Sequence, residues 1–294
     1  MPPSARSVVR LSPLVQGVLW MAGCLASFIG MAIASRELAD SLSVVQILFF
    51  RSLVGLAILA LLARKVLPAC RRAERIGLHL IRNLIHFAAQ YCWTLGVVLL
   101  PLAEVFALEF TMPVWVAIFA FLLLGERIHR ARLVAVLGSF AGVLVILRPG
   151  VEIIDPAAFV VLAAAMGYGL SIVLVKRLTE SCPPLVIVTW MIVMQLPMGF
   201  GLALMDWQSP SLPDLPWILL AGLTGLSAHY TMARALRLLE ASTVVPIDFA
   251  RVPLIALIGF WVYGEALDPW LGLGALMIFG ANYYALRREA RAQV

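Results

Sequence analysis

The sequence of 294 residues is 63% hydrophobic and only 13% charged. This composition excludes a water-soluble enzyme, a disordered protein and a small disulfide-built secreted domain, and it indicates a membrane protein. The net charge of +6 is high for so apolar a chain, and its meaning depends on where the basic residues lie.

Ten apolar stretches follow one another along the chain, and turn residues such as Arg148-Pro149-Gly150 separate them. They cover residues 14–34, 44–63, 77–99, 102–123, 133–147, 156–175, 184–205, 214–236, 242–263 and 270–286. The stretches lack the alternation of a membrane barrel, and about 20 helical residues cross a bilayer. The sequence therefore predicts an all-α polytopic membrane protein with ten transmembrane helices, numbered 1 to 10 in chain order.

The basic residues lie mostly on one side of this predicted bundle. With the N-terminus inside, inward loops and tails contain 17 Lys and Arg residues, whereas outward loops contain only Arg36 and Arg148. Nine of the sixteen acidic residues lie in the outward loops or at the outward ends of the adjoining helices. The positive-inside rule then places both termini in the cytoplasm. Because the basic residues are spread over six short segments, they do not form a nucleic-acid-binding surface.

The chain contains an internal repeat. Shifted by 139 residues, Tyr91 to Ile128 aligns without gaps on Tyr230 to Leu267, with 9 identities in 38 positions that end on a shared Gly-Glu pair. The shift carries helix 4 onto helix 9, and a shift of five spans reverses orientation across the bilayer. We therefore predict two inverted five-helix repeats, residues 1–148 and 149–294, in one membrane domain. Inverted repeats are typical of secondary transporters.

One face of helix 3 is polar over several turns. Because polar groups facing lipid lack partners, this face is expected to line a central cavity that binds the substrate. Alternatively, the same side chains hydrogen-bond neighbouring helices as packing contacts. The candidate substrate-binding residues, with aromatic and His residues from helices 1 and 8, are His79, Asn83, His86, Gln90, Trp93, Trp20, His229 and Tyr230. Tyr168 and Trp190 face either this cavity or lipid.

Five charged residues lie inside predicted helices: Arg51, Arg82, Glu109, Asp248 and Arg251. Each is costly when unpaired at the bilayer centre, so we expect ion pairs. Asp248 and Arg251 are three residues apart and can pair, Arg82 can reach the inner surface, and Arg51 can meet Glu109. Glu109 is also the candidate for coupling transport to protons, since its repeat mate Asp248 is acidic too.

Several short motifs resemble one known family. They are Phe49-Phe50-Arg51, Leu80-Ile81-Arg82-Asn83, Leu100-Pro101-Leu102-Ala103-Glu104, Thr111-Met112-Pro113, Leu124-Gly125-Glu126-Arg127, Gly138 with Gly142, Arg148-Pro149-Gly150, and Pro253 with Gly264-Glu265. In this order the chain resembles the ten-helix EamA-type branch of the drug/metabolite transporter superfamily. The resemblance implies transport of small organic metabolites, often amino acids outward, across a bacterial inner membrane.

The expected function is export of amino acids, including aromatic or apolar ones, by alternating access. Other metabolites such as a vitamin, a nucleotide-sugar or a cationic drug are alternatives, although a phosphate-ester carrier should bring several basic residues to the cavity. A membrane-embedded enzyme is less expected, because His86 and His229 are the nearest approach to a metal set and lack a third ligand. No enzyme activity, metal or cofactor is therefore expected.

The expected partners are a small-molecule substrate and the lipid bilayer, with a proton as a candidate coupling ion. The pair Gly138 and Gly142 in helix 5 allows a close helix contact, either within one chain or between subunits. The chain is accordingly expected to be a monomer or a weak homodimer.

The charge distribution generates a topology prediction. Reporter fusions at Lys65, Arg130 and Val294 are expected to report a cytoplasmic location, and fusions within 206–213 an external one. Opposite locations for Arg130 and Val294 would contradict both the ten-span count and the inverted repeat.

Overall fold

The computed structural model describes residues 12–61, 70, 75–125, 130–150, 154–236, 238–239, 244 and 247–292, and its fold is all-α. The helices are Pro13–Leu38 (α1), Val44–Leu61 (α2), Ile76–Leu99 (α3), Leu102–Glu109 (α4a), Met112–Leu124 (α4b), Arg130–Leu147 (α5), Pro156–Thr179 (α6), Pro184–Ala203 (α7), Leu215–Leu236 (α8), Arg251–Tyr263 (α9) and Pro269–Ala292 (α10). Each predicted stretch corresponds to one helix or to one broken pair, which confirms the predicted fold class.

Hydropathy and length alone single out five described segments as able to cross a membrane. They are Pro13–Leu38, Val44–Leu61, Leu102–Leu124, Pro156–Thr179 and Val186–Asp206. Helix α3 is not among them because it carries the polar face. Its opposite face is apolar and exposed, with Leu80 44%, Ile81 54% and Leu84 52% accessible. We infer that α3 is a span whose lipid-facing side is apolar and whose polar side is turned inward.

The fourth span is broken near its middle. Helix α4a ends at Glu109, Phe110 and Thr111 form a turn, and α4b begins at Met112. The backbone N–H of Val114 bonds the carbonyl of Thr111 at 2.9 Å, so the carbonyl of Phe110 lacks its helical partner. Asn282 of α10 donates to that carbonyl at 3.4 Å. A neighbouring helix thus satisfies a backbone group that lipid would leave unpaired.

The ninth span has an equivalent turn. The 139-residue shift maps Thr111 onto Ala250, and Ala250 lies in a turn immediately before α9. Both broken spans also end alike, since Gly125 caps α4b with φ of 69° and Gly264 caps α9 with φ of 67°. This left-handed conformation is accessible to glycine at little cost. The two repeats therefore share their backbone irregularities as well as their sequence.

The two breaks meet in the core of the molecule. The rings of Phe110 and Phe249, which are repeat mates, pack with centroids 5.0 Å apart. Phe249 also packs on Phe279 of α10 at 4.5 Å. The largest hydrophobic cluster surrounds them and includes Phe106 and Ile255, which are fully buried. The interruptions of the fourth and ninth spans are consequently held against each other by aromatic packing.

Helices α5 and α10 approach each other through glycine. A Cβ atom on Gly142 would lie 2.7 Å from the carbonyl oxygen of Gly274, and one on Gly138 would lie 2.5 Å from the Cβ of Ala281. The close contact predicted for the Gly138 and Gly142 pair therefore lies within one chain. Without side chains at these positions, two backbones pack at a distance that larger residues would prevent.

A substitution at this contact tests its contribution to stability. Gly142→Ala is expected to destabilise the protein, because overpacking costs about 1–3 kcal/mol and exceeds the gain of about 1 kcal/mol in helix propensity. Gly280→Ala on α10 is the matched control, since nothing lies within 4 Å of its added Cβ. Thermal unfolding of the purified protein should show a lower melting temperature for the first variant only. Equal melting temperatures would contradict the close contact.

Candidate functional site: an inward polar cavity beside a buried charge cluster

The polar face of α3 lies inside the bundle. His79 and Asn83 are fully buried, and His86, Gln90 and Trp93 are at most 5% exposed. The inward orientation expected from the sequence is therefore what the structure has. The structure gives these five residues different environments, and their role in binding a substrate stays a prediction.

Asn83 and His86 bond a neighbouring helix. The amide nitrogen of Gln195, on α7, lies 3.0 Å from Nδ1 of His86 and 3.4 Å from Oδ1 of Asn83. Asn83 also accepts a hydrogen bond from Nη1 of Arg82 at 2.9 Å. Sequence reasoning did not single out Gln195, although a lone buried amide in an apolar span is a recognisable signal. These contacts hold α3 against α7 and fix the imidazole of His86.

Two arginines have no carboxylate partner among the described residues. Arg82 is only 8% exposed, so it is buried and does not reach the inner surface as the sequence suggested. The side chain of Arg51 packs against Gly225 of α8, and its Nη1 lies 3.6 Å from the sulfur of Met31. The prediction that Arg51 meets Glu109 is wrong, because Glu109 binds other residues. Within the described part of the chain, these two positive charges therefore lie outside any ion pair.

Both arginines lie near the same two histidines. Arg51 and Arg82 both lie within electrostatic reach of the imidazole rings of His86 and His229. Arg82 is four residues from His86 on α3, and Arg51 lies over Gly225, four residues from His229 on α8. Spacing of four residues places each pair on one helix face. Two guanidinium groups and two imidazoles, from α2, α3 and α8, therefore lie near one another, and we refer to this group of side chains as the walls of the predicted cavity.

Aromatic and amide groups complete the cavity. The ring of Tyr168, on α6, packs on His86 with centroids 5.5 Å apart, and Phe28 packs on His229 at 6.1 Å. Gln90 is buried, and its Oε1 has no hydrogen-bond partner in the described part of the chain. Tyr168, which the sequence left undecided, thus faces inward. The cavity offers flat rings together with hydrogen-bond donors and one free acceptor.

Two other candidate residues, Trp20 and Tyr230, lie away from these walls. Tyr230 is 55% exposed and shares its face of α8 with Leu219 and Leu223, which are 54% and 53% exposed. Its ring meets Trp20 edge-on at 5.9 Å, and Arg234 covers Trp20 at 5.0 Å. The structure accordingly places Trp20 and Tyr230 in the contact between α1 and α8.

The last undecided ring, Trp190, also points toward the bundle. It packs on His79 of α3 with centroids 6.1 Å apart. The ring nitrogens of both side chains are buried, and none of them has a hydrogen-bond partner among the described residues. His79 therefore lies against α7 at the beginning of α3, several turns from Gln90.

A buried charge cluster lies where the broken spans meet. Arg251 binds Oδ2 of Asp248 at 2.7 Å, and its Nη1 lies 3.7 Å from Oε1 of Glu109. The indole N–H of Trp93 donates to Oε2 of Glu109 at 2.7 Å. The predicted pair of Asp248 and Arg251 is therefore present, with Glu109 as a second carboxylate. Trp93 is a structural partner of this cluster as well as a member of the α3 face.

The cluster is enclosed by aromatic rings. The guanidinium of Arg251 lies 4.3 Å from the ring centre of Phe28, 4.9 Å from that of Phe110 and 5.5 Å from that of Phe106. Aromatic faces attract a cation, and they also exclude water from it. The carboxylates and the guanidinium therefore interact in a medium of low dielectric constant.

The predicted outer ends of the spans are tied together by polar contacts. Arg36 at the end of α1 pairs with Glu265, and its Nε donates to the carbonyl of Val97 at 2.8 Å. Glu265 also accepts from the backbone N–H of Leu102 at 2.9 Å. Arg148 pairs with Asp268 at 2.7 Å. Sequence reasoning named Arg36, Arg148 and Glu265 but did not predict these pairs, because the partners come from distant parts of the chain.

A repeated helical bundle with two broken spans beside buried polar side chains is the architecture of a membrane transporter. Two parts of the chain, residues 15–148 and 155–287, match the EamA-like transporter family. The chain therefore belongs to the EamA-like transporter family, which confirms the resemblance seen in the sequence. It is a multi-pass membrane protein and a transporter.

Several characterised relatives cover most of the chain. A riboflavin transporter of Rhizobium johnstonii is 33% identical over 73% of this chain and 72% of its own length. A riboflavin transporter of Vibrio cholerae is 29% identical over 92% of both chains. An S-adenosylmethionine uptake transporter of Rickettsia prowazekii is 21% identical over 96% of both. One crystal structure superposes with a TM-score of 0.64 at 18% identity, covering 95% of this chain and 99% of the other, and it supports the fold.

The charge cluster generates a stability prediction. Arg251→Met is expected to destabilise the protein by about 3–5 kcal/mol, because it leaves two buried carboxylates without their cation. The control is Arg75→Gln, whose ion pair with Glu180 joins side chains 47% and 62% exposed and contributes at most about 1 kcal/mol. Thermal unfolding in detergent compares them. Equal melting temperatures would show that the cluster does not stabilise the fold.

Proposed function

We propose that this transporter carries riboflavin, or a closely related flavin, across the bacterial inner membrane. The observation that carries the proposal is that Arg51 and Arg82 lack carboxylate partners among the described residues and stand close to the rings of His86 and Tyr168. Similarity to riboflavin transporters over 72% to 92% of their length supports the same substrate.

The chemistry of a flavin suits this cavity. Its ring system is flat and carries carbonyl oxygens and ring nitrogens that accept hydrogen bonds, and its side chain carries hydroxyl groups. A guanidinium donates several hydrogen bonds in one plane and also stacks on aromatic faces. Tyr168 and His86 supply stacking surfaces. The free Oε1 of Gln90 is an acceptor for the imide N–H of the ring system or for a hydroxyl.

The same cavity disfavours cationic substrates. Two positive charges that have no carboxylate partner among the described residues repel a third, and the repulsion is strong in a medium of low dielectric constant. This argues against a cationic drug, and against the sulfonium group of S-adenosylmethionine, the substrate named for one relative. The preference for amino acids over phosphate esters assumed that the arginines had acidic partners. The geometry of Arg51 and Arg82 removes that assumption, and the relatives reported above are not named for amino acids.

The transport cycle we propose is alternating access around the breaks of the fourth and ninth spans. The contacts of Arg36 with Glu265 and of Arg148 with Asp268 tie the outer ends of the spans in the described conformation. Opening toward the outside would separate these pairs, while the cavity stays near the breaks. A transporter needs only such rocking of two similar halves around a fixed site.

Uptake by a riboflavin auxotroph that lacks its own flavin carrier tests the proposal. Cells producing the protein are expected to grow on riboflavin at low concentration and to accumulate labelled riboflavin. Excess lumiflavin should compete, whereas tryptophan and S-adenosylmethionine should not. Proteoliposomes that exchange labelled amino acids but not riboflavin would contradict the proposal.

A variant of the cavity tests the role of its arginines. Arg51→Gln removes charged donors, each worth about 1.5–3 kcal/mol, so the KM for riboflavin is expected to rise about 10-fold to 150-fold. Leu95→Ala on α3, away from the polar face, is the control and should leave KM unchanged. Membrane quantities of both variants must be matched by immunoblot. An unchanged KM for Arg51→Gln would remove Arg51 from the site.

A further inference from the structure

We propose that Glu109 is a proton-binding site of this transporter, occupied in the described conformation and emptied when the broken spans move. The site lies in the charge cluster of Glu109, Asp248 and Arg251, apart from the cavity walls. The existence of the proton site does not depend on the substrate, whereas its coupling to flavin transport rests on the proposed function.

The first argument is a count of charges. The cluster holds two carboxylates and one guanidinium, so full ionisation would leave one unbalanced negative charge in the core. All three residues are at most 9% exposed. Ionised groups without a counter-charge are so costly in such surroundings that they take up a proton instead. One bound proton makes the cluster neutral.

The described neighbours of the cluster do not supply the missing positive charge. Trp93 of α3 faces Glu109 as a neutral N–H donor, and Tyr168 of α6 and Cys24 of α1 lie within electrostatic reach of it. Around the guanidinium stand the rings of Phe28, Phe106 and Phe110. Among the described residues, Arg251 is thus the one cation that the two acids share within ion-pair distance.

The geometry assigns the proton to Glu109. Asp248 has the short contact with Arg251 at 2.7 Å, which stabilises its ionised form. Glu109 lies 3.7 Å from Nη1 of Arg251, and this nitrogen makes no hydrogen bond. Its other oxygen accepts from Trp93, a contact that a protonated carboxyl also permits. The carboxyl with the weaker ionic contact therefore holds the proton.

The position of Glu109 makes the proton sensitive to conformation. Glu109 is the last residue of α4a, immediately before the break, whereas Arg251 is the first residue of α9, immediately after the equivalent turn. A small relative movement of these helix ends would close the gap of 3.7 Å to a direct ion pair. The direct pair favours the ionised carboxylate and expels the proton.

The cluster also adjoins the cavity. Tyr168, whose ring packs on His86, lies within electrostatic reach of both Arg51 and Glu109. A substrate that contacts the cavity walls therefore lies one side chain from the proton site. This adjacency provides a physical route by which binding of substrate and release of the proton influence each other.

Infrared difference spectroscopy of the purified protein in lipid vesicles tests the proton site directly. A protonated carboxyl has a C=O stretching band that a carboxylate lacks. The wild-type protein at neutral pH is expected to show this band from a buried acid, and Glu109→Gln is expected to remove it. Glu37→Gln, at an acid that pairs with Tyr263 near the end of α1, is the control and should retain the band.

Asp248→Asn provides the sharper test, because it leaves Glu109 in place. With one carboxylate and one guanidinium the cluster is already balanced, so Glu109 should ionise and the band should disappear. Persistence of the band in Asp248→Asn, or its absence from the wild-type protein, would overturn the proposal. The wild-type measurement needs no variant and therefore stands even if a substitution prevents folding.

The coupling is tested by transport in vesicles. An imposed pH gradient is expected to change the initial rate of flavin uptake by the wild-type protein, and Glu109→Gln should lose this response while exchange of internal for external flavin continues. A response to a sodium gradient instead would contradict a proton as the coupling ion. If no flavin is transported but the infrared band behaves as expected, the proposed substrate fails and the proton site stands.

Discussion

The structure depends on one constraint, which is that charges and backbone groups inside a bilayer must find their partners within the protein. The breaks in the fourth and ninth spans create unpaired groups at the centre of the molecule. The described structure meets this demand by bringing the two breaks together. Phe110 packs on Phe249, and Asn282 donates a hydrogen bond to the carbonyl of Phe110. Arg251 forms ion pairs with Glu109 of the first repeat and Asp248 of the second.

This arrangement separates two regions of opposite charge. Among the described residues Arg51 and Arg82 have no carboxylate partner, and under the proposed function they favour a substrate rich in hydrogen-bond acceptors. The cluster of Glu109, Asp248 and Arg251 contains two carboxyl groups and one guanidinium, so one bound proton would make it neutral. Tyr168 stands between the two regions. We suggest that the separation lets the substrate and the proton be bound by different groups that the same helix movement affects.

The sequence predicted the features that arise from local periodicity and repetition. Long apolar stretches predicted the helices, the 139-residue repeat predicted paired spans, and the spacing of His79 to Trp93 predicted an inward face. Contacts between distant segments were not predictable in the same way. The partner of Glu109 is Arg251 rather than Arg51, because the two breaks meet in space. Gln195 and Glu265 acquire their roles only from residues more than 100 positions away.

A double-mutant cycle on the stability of the protein tests most directly whether one cation is shared by two acids. Glu109→Gln and Asp248→Asn should each change the free energy of unfolding little, since a neutral ion pair remains in either case. The double variant leaves Arg251 buried without a counter-charge, and it should lose about 3–5 kcal/mol. Additive effects of the two substitutions would contradict the shared cluster and the proton site built on it.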